Sequence, residues 1–196
     1  KSEFEIKRMR EAIQISAEAH ELVRESIKSK NNERQIQGIL EGFFLEKGAR
    51  GPAYNSIVAS GDNACILHYT SNNSPLNKGE LLLVDAGCSL TDYYNGDITR
   101  TIPIGGKFSD EQKVIYEIVL SAQKTAIQSA IIGSNSSTVH NVALTILVEG
   151  LKEIGLLSGS TEEIIENQSY KHLYMHRTGH WLGLDVHDVG AYRMGD

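Results

Sequence analysis

Two aspartates, Asp85 and Asp97, stand twelve positions apart, the first directly after the apolar run Leu81-Leu82-Leu83-Val84 and the second at the start of another strand-like stretch. A hairpin between those stretches brings both carboxylates together. Alone in a buried setting, two close carboxylates repel and one takes up a proton; a divalent cation between them removes that penalty and keeps both ionised. Taken singly, each aspartate reads better as turn chemistry, since Asp85-Ala86-Gly87 and Asn95-Gly96-Asp97 are ordinary turn sequences.

A second constellation is denser. In the segment MHRTGHWLGLDVHDVG, His176, His180 and His187 crowd together with Gly179 and Gly183. Histidine supplies a neutral nitrogen ligand or a proton donor near neutral pH, and the glycines let backbone approach where side chains would obstruct. If residues 184–188 are extended, Asp185 and His187 share one face and Leu184, Val186 and Asp188 the other. His68, in Cys65-Ile66-Leu67-His68-Tyr69, fits a hydrogen-bonded strand histidine as well as a catalytic one. The isolated His20, His140 and His172 read as structural or surface residues. There is no GxSxG elbow, no GxxxxGK[ST] loop, no HExxH helix and no GxGxxG turn. A metal–carboxylate site is what survives.

The elements that must position these residues follow from periodicity and capping signals. Ile6, Met9, Ile13, Ala17 and Val23 recur at helical spacing behind a Ser2/Glu5 capping box. A second helix is expected from Glu33 to Lys47, capped by Asn32, ended by Gly48 and burying Ile36, Leu40, Phe43 and Phe44. Ser56–Ser60, Ala64–Tyr69, Leu81–Val84 and Asp97–Ile104 read as strands. Ser109 with Gln112 opens another helix with Val114, Ile115, Ile118, Val119, Ala122 and Ala126 on its apolar face. Thr138–Ile154 continues as helix, and Ser160 with Glu163 starts a short one. This order favours one α+β domain.

Composition excludes several partners. The chain has 196 residues and a formal charge of −6, and it lacks the basic stripe that nucleic acid or an anionic membrane requires. The charged start, KSEFEIKRMREAIQ, and the lack of a long uncharged apolar run give no signal peptide and no membrane span, so a cytoplasmic location is expected. Cys65 and Cys88, without CxxC spacing, read as reduced packing residues.

Three segments, GARGPAYNSIVASGDNACILHYT, LLLVDAGCSLTDYYNGDITRTIPIGGKFSDEQ and MHRTGHWLGLDVHDVG, together and in that order resemble the Xaa-Pro aminopeptidases of the creatinase and methionine aminopeptidase superfamily, peptidase family M24. The resemblance covers nearly the whole chain. It implies a pita-bread fold, two pseudo-symmetric α/β halves around a curved antiparallel sheet covered by helices. It further implies two divalent ions, most often manganese, held by Asp85, Asp97, His180 and two glutamates that have no match here. Those glutamates normally follow the motif containing His187, and one of them is the general base. The expectation is therefore a catalytic domain over residues 1–196, incomplete at its C-terminus, without the family's separate N-terminal domain, and inactive if it truly ended at Asp196.

The implied activity removes the first residue from peptides whose second residue is proline, through a water held between the two ions. His187 would donate to the developing oxyanion, His68 would orient the peptide near the metals, and His176 would contact substrate. A homodimer or higher homo-oligomer is the family expectation. An Xaa-Pro dipeptidase and a non-catalytic peptide-binding module of the same fold are the alternatives. The interval from Asp85 to Asp97 is one residue longer than the family's usual spacing, which a bulge or turn near Thr91-Asp92-Tyr93-Tyr94 would absorb.

Overall fold

The computed structural model describes residues 1–191, and the chain divides into two compact units. The first, Lys1–Phe108 with Trp181–Gly190, contains both aspartates. Helix α1 (Glu3–Ser26) starts at the Ser2/Glu5 capping box, and α2 (Glu33–Glu46) at Asn32, whose side chain accepts from the Arg34 N–H. Gly48, at φ 82, lets the chain leave α2 in a left-handed conformation.

Strands β2 (Ile57–Ser60), β3 (Leu81–Asp85) and β5 (Thr99–Pro103) form an antiparallel sheet in the order β2-β3-β5, and β1 (Gly51–Pro52) pairs with β4 (Cys88–Ser89). The core joins Ala12, Val23, Ile36, Leu40 and Phe44 of the helices to Val58, Leu82 and Val84 of the sheet. Each large side chain fully withdrawn from water there contributes about 1.5–3 kcal/mol.

The second unit is built on Ser109–His180. Helix α3 (Asp110–Ser129) opens at the Ser109/Gln112 capping box and packs against α4 (Ser136–Glu153). Gly150 of α4 lies directly against Ile118 of α3: a Cβ there would stand 2.6 Å from Ile118 Cγ2. A glycine inside a helix costs about 1 kcal/mol relative to alanine, and here the space it leaves seats the α3 isoleucine. Helix α5 (Thr161–Glu166), capped by Ser160 and Glu163, adds Ile164 to a core of Leu144, Val148, Leu151, Leu157 and Tyr170. None of the described helices is long and apolar enough to cross a membrane.

The architecture is α+β, with helices and antiparallel sheets, but four local expectations change. Ala64–Tyr69 is not a strand: after Ser60 the chain makes a 3₁₀ turn over Gly61–Cys65 and continues as a loop. Gly61, at φ 54, starts the departure, and the exposed Ile66 and Leu67 show that no sheet covers this segment. Cys65 is accordingly exposed rather than packed, whereas Cys88 is buried. On α1 the buried stripe is Ala12, Ser16, Ala19, His20 and Val23, while Ile6 and Ile13 are exposed, because small residues allow the helix to lie close to β4. On α3, Ala122 and Ala126 are buried but Val114, Ile115 and Val119 are exposed.

Candidate metal centre

Strand register brings the two aspartates together. Asp85, the last residue of β3, pairs with Thr99, the first of β5, and Asp97 lies two residues earlier, on the same side of an extended chain as Thr99. The pairing continues beyond the strands, with the Ala86 N–H donating to Ile98 O at 3.0 Å.

Between the aspartates the chain turns back through Leu90–Tyr94, closed by Tyr93 N–H to Leu90 O at 2.9 Å and Leu90 N–H to Tyr94 O at 2.9 Å. Tyr93 takes the left-handed conformation at φ 71, so the Thr91-Asp92-Tyr93-Tyr94 segment is accommodated as a tight turn. Farther along, Gly87 and Gly96 permit an unusually close backbone contact: a Cβ on Gly87 would stand 1.8 Å from Gly96 O. A Cβ on Gly96 would collide with α1, at 2.5 Å from Ser16 Oγ. Ser16 in turn accepts from the Cys88 N–H at 3.0 Å, fixing α1 to β4.

Both carboxylates converge on Tyr54, a residue that the sequence reading did not single out. Its hydroxyl lies 2.6 Å from Asp85 Oδ1 and 2.7 Å from Asp97 Oδ1. One phenolic proton can be donated to only one of them at a time, so the two oxygens compete for it. Tyr54 reaches this point because β1 is paired to β4, and the Ala53 N–H donates to Gly87 O at 2.8 Å. The available signal was tertiary: Tyr54 precedes Ile57, whose strand partner is Asp85.

Burial pushes the Asp85 carboxyl upward and the nearby Asp97 charge adds to this, against the lowering by hydrogen bonds from Tyr54 and Thr99. Tyr54 is held strongly as the phenol, by burial and by the two carboxylates. Behind Asp85, His20 is buried with Nε2 at 3.0 Å from Ala86 O, and burial lowers its pKa. A ring that donates through Nε2 leaves Nδ1 bare, and Nδ1 has no hydrogen-bond partner among the described residues. This is a neutral structural histidine.

Two hard oxygen donors brought within hydrogen-bond reach of one hydroxyl, with their like charge raising one pKa, fit a divalent cation. Among the described residues no group of three or more His, Cys, Asp and Glu side chains is placed to hold a metal ion. His176 and His180 belong to the second unit and His187 to the first, and all three are exposed. The His176 ring nitrogen Nδ1 lies 2.8 Å from Arg177 O. Residues 184–188 are not extended but bent, with the Gly183 N–H donating to Asp185 O and the Asp188 N–H to Trp181 O. Asn95 secures this segment by donating from its backbone N–H to Gly183 O and from its side chain to Leu184 O. His68 stands exposed on the loop after β2, at φ 55. His140 is hydrogen-bonded to the remote Thr178 hydroxyl, and His172 locally to Ser169 O.

The model of metallopeptidase family M24 matches residues 7–195, and this chain belongs to that family. Its curated relatives include the Xaa-Pro aminopeptidases of Haemophilus influenzae, 48% identical over 98% of this chain and 44% of the relative, and of Escherichia coli, 43% identical over 98% of this chain and 43% of the relative. Among solved structures, the aminopeptidase PepP of Pseudomonas aeruginosa superposes with a TM-score of 0.93 at 46% identity, covering all of this chain and 44% of that one. The Escherichia coli aminopeptidase P with the inhibitor Pro-Leu gives a TM-score of 0.95 at 43% identity, covering 98% of this chain and 44% of that one. The chain thus spans less than half the length of the relatives it matches.

Proposed function

We propose that this chain is part of the catalytic domain of an Xaa-Pro aminopeptidase, hydrolysing the N-terminal residue from peptides with proline in second position. The observation that carries the reading is the convergence of Asp85 and Asp97 on Tyr54, in a chain of family M24 related to such enzymes over nearly its full length. The finer fold reading is the pita-bread arrangement, with two pseudo-symmetric halves around a curved antiparallel sheet.

Asp85, Asp97 and His180 are the proposed ligands of two divalent ions, with manganese the proposed metal; a zinc-substituted form of the Escherichia coli enzyme supports divalent occupancy. When bound, the ions supply a water-derived nucleophile at neutral pH and stabilise charge in the transition state. Tyr54 and Thr99 orient the carboxylates by hydrogen bonding, as groups behind metal ligands commonly do. His187 donates a ring N–H to the oxygen of the scissile carbonyl as charge develops there. His68 orients the peptide and His176 contacts it.

Spacing supports the three histidines. Two histidines replaced by alanine in solved Escherichia coli variants stand eleven positions apart, the separation of His176 and His187. A third precedes the first of these by 107 positions, against 108 from His68 to His176, which matches one added residue between Asp85 and Asp97. The partners are peptides, not nucleic acid or membrane; a cytoplasmic, homo-oligomeric enzyme is the accompanying proposal.

The test is the intact mass of the natural gene product, followed on that sample by release of the first residue from an Xaa-Pro-Xaa peptide with and without added manganese. Cleavage that a chelator abolishes and manganese restores is the expected result. Turnover confined to Xaa-Pro dipeptides would identify a dipeptidase instead, and a protein that binds the peptide without cleaving it would identify a binding module.

A further inference from the structure

Glutamate is rarely withdrawn fully from water unless its charge is matched, yet Glu33, the first residue of α2, is 0% exposed. Its carboxylate is where a loop closes. Oε1 accepts from the Ser60 N–H at 2.7 Å, the Ser60 hydroxyl at 2.8 Å and the Asn63 amide at 3.1 Å. Oε2 accepts from the Ser74 N–H at 2.8 Å and the Tyr69 hydroxyl at 2.8 Å. Ser60 and Ser74 are the two ends of the loop that carries His68, so one carboxylate ties its neck. Burial alone would raise the Glu33 pKa, but the hydrogen bonds from Ser74, Ser60 and Tyr69 outweigh it and hold the group below the ordinary glutamate value.

The two halves of the loop are anchored differently. On the return side, the Glu33 N–H donates to Ser74 O at 3.0 Å and the Leu76 N–H to Asn31 O at 3.0 Å. Asn72 extends the edge of β2, accepting from the Val58 N–H at 3.0 Å and donating to Ser56 O at 2.7 Å. The outgoing side has little packing: Ile66 and Leu67 are 55% and 64% exposed, and His68 holds a left-handed backbone that a non-glycine residue adopts only when its surroundings enforce it. Immediately after His68, Tyr69 runs back to Glu33.

We propose that Glu33 is a positioning residue for His68, acting through the Tyr69 hydroxyl: the buried carboxylate fixes the residue next to the histidine and thereby the imidazole's place over the peptide. Glu33 itself is buried and touches no substrate. This rests on the reading of His68 as a residue that orients the peptide. A displacement of about 1 Å at such a group can cost up to about a hundredfold in rate.

The test is a double-mutant cycle in the full-length, metal-loaded protein, with kcat and KM measured on an Xaa-Pro-Xaa peptide. Tyr69→Phe keeps the ring and removes only the hydroxyl. It is expected to lower kcat about tenfold, with KM and metal stoichiometry unchanged. In a His68→Ala background the same change is expected to cost nothing further. Glu33→Gln should reduce kcat at least as far.

An equal loss on Tyr69→Phe in both backgrounds would overturn the proposal, because the tyrosine would then act on stability at large and not through His68. A full His68→Ala defect with a silent Tyr69→Phe would overturn it while leaving the reading of His68 intact. A silent His68→Ala would remove both.

Discussion

Asp85 and Asp97 sit where strand register, a shared phenol and a glycine contact leave the carboxylates little freedom, whereas His176, His180 and His187 stand exposed in a stretch that contains no strand among the described residues. The difference lies in what closes each region. The aspartate pair is closed by neighbouring elements, β3, β5 and the turn at Leu90–Tyr94, and by two remote ones, Tyr54 and α1. The stretch from Trp181 is tied to Asn95 through the Gly183 and Leu184 oxygens and to Lys1 through Asp188, while Trp181, Leu184 and Val189 remain exposed. The two aspartates are thus fixed by strand pairing and hydrogen bonds inside the first unit, whereas the three histidines are exposed.

Breaking the aspartate pair should have the largest effects. Replacing Asp97 by Asn in the full-length protein is expected to lower peptide cleavage about a thousandfold, since it removes a proposed metal ligand and with it several kcal/mol of transition-state stabilisation. Steady-state kinetics with metal analysis decides this, and wild-type activity would contradict the ligand assignment. Gly87→Ala forces a Cβ to within 1.8 Å of Gly96 O. It is expected to destabilise the protein by about 3 kcal/mol, read as a lower denaturation midpoint at unchanged slope.

Tyr54→Phe separates geometry from charge. The fold should survive, but metal affinity is expected to fall about 10–100-fold, the usual cost of removing a group that orients ligands. Titration of the metal-free variants by calorimetry would measure it, and unchanged affinity would reduce Tyr54 to a bystander.

Glu33 supplies a pH test of the loop. Because its folded pKa lies below the ordinary value of 4.5, its contribution is fully present above that pH and is lost as pH falls through the lower, folded value. Glu33→Gln should flatten the acid limb of the stability curve and cost about 1–3 kcal/mol near neutrality. A matching acid limb in both proteins would refute the buried clasp.

At the weak end, Val189→Ser is expected to change stability by no more than about 0.5 kcal/mol, as the side chain is 85% exposed. A larger loss would mean that the stretch from Trp181 is packed more firmly than its exposure indicates.

Much of the fold was legible because its signals are local. The capping boxes at Ser2, Ser109 and Ser160 need only a few residues each, and all three start helices. The short apolar run before Asp85 and the polar–apolar alternation after Asp97 both form strands, since either signal is carried by consecutive residues. The strand expected over Ala64–Tyr69 does not form for the opposite reason. Ile66 and Leu67 have strand-like side chains, but the partner that decides their fate, Glu33, is remote in sequence and polar, and periodicity cannot register it.

By itself the sequence determined the α+β order of elements and, through its motifs, the family, and it marked Asp85 and Asp97 as the pair to look at. Only the tertiary structure decided that Tyr54 joins the two carboxylates, that Gly87 and Gly96 set the backbones in contact, and that Glu33 closes the His68 loop. The physical reason is range: helix caps and strand patterns are encoded within a few residues, whereas a shared hydroxyl or a buried charge draws its partners from distant segments, which meet only once the chain has packed.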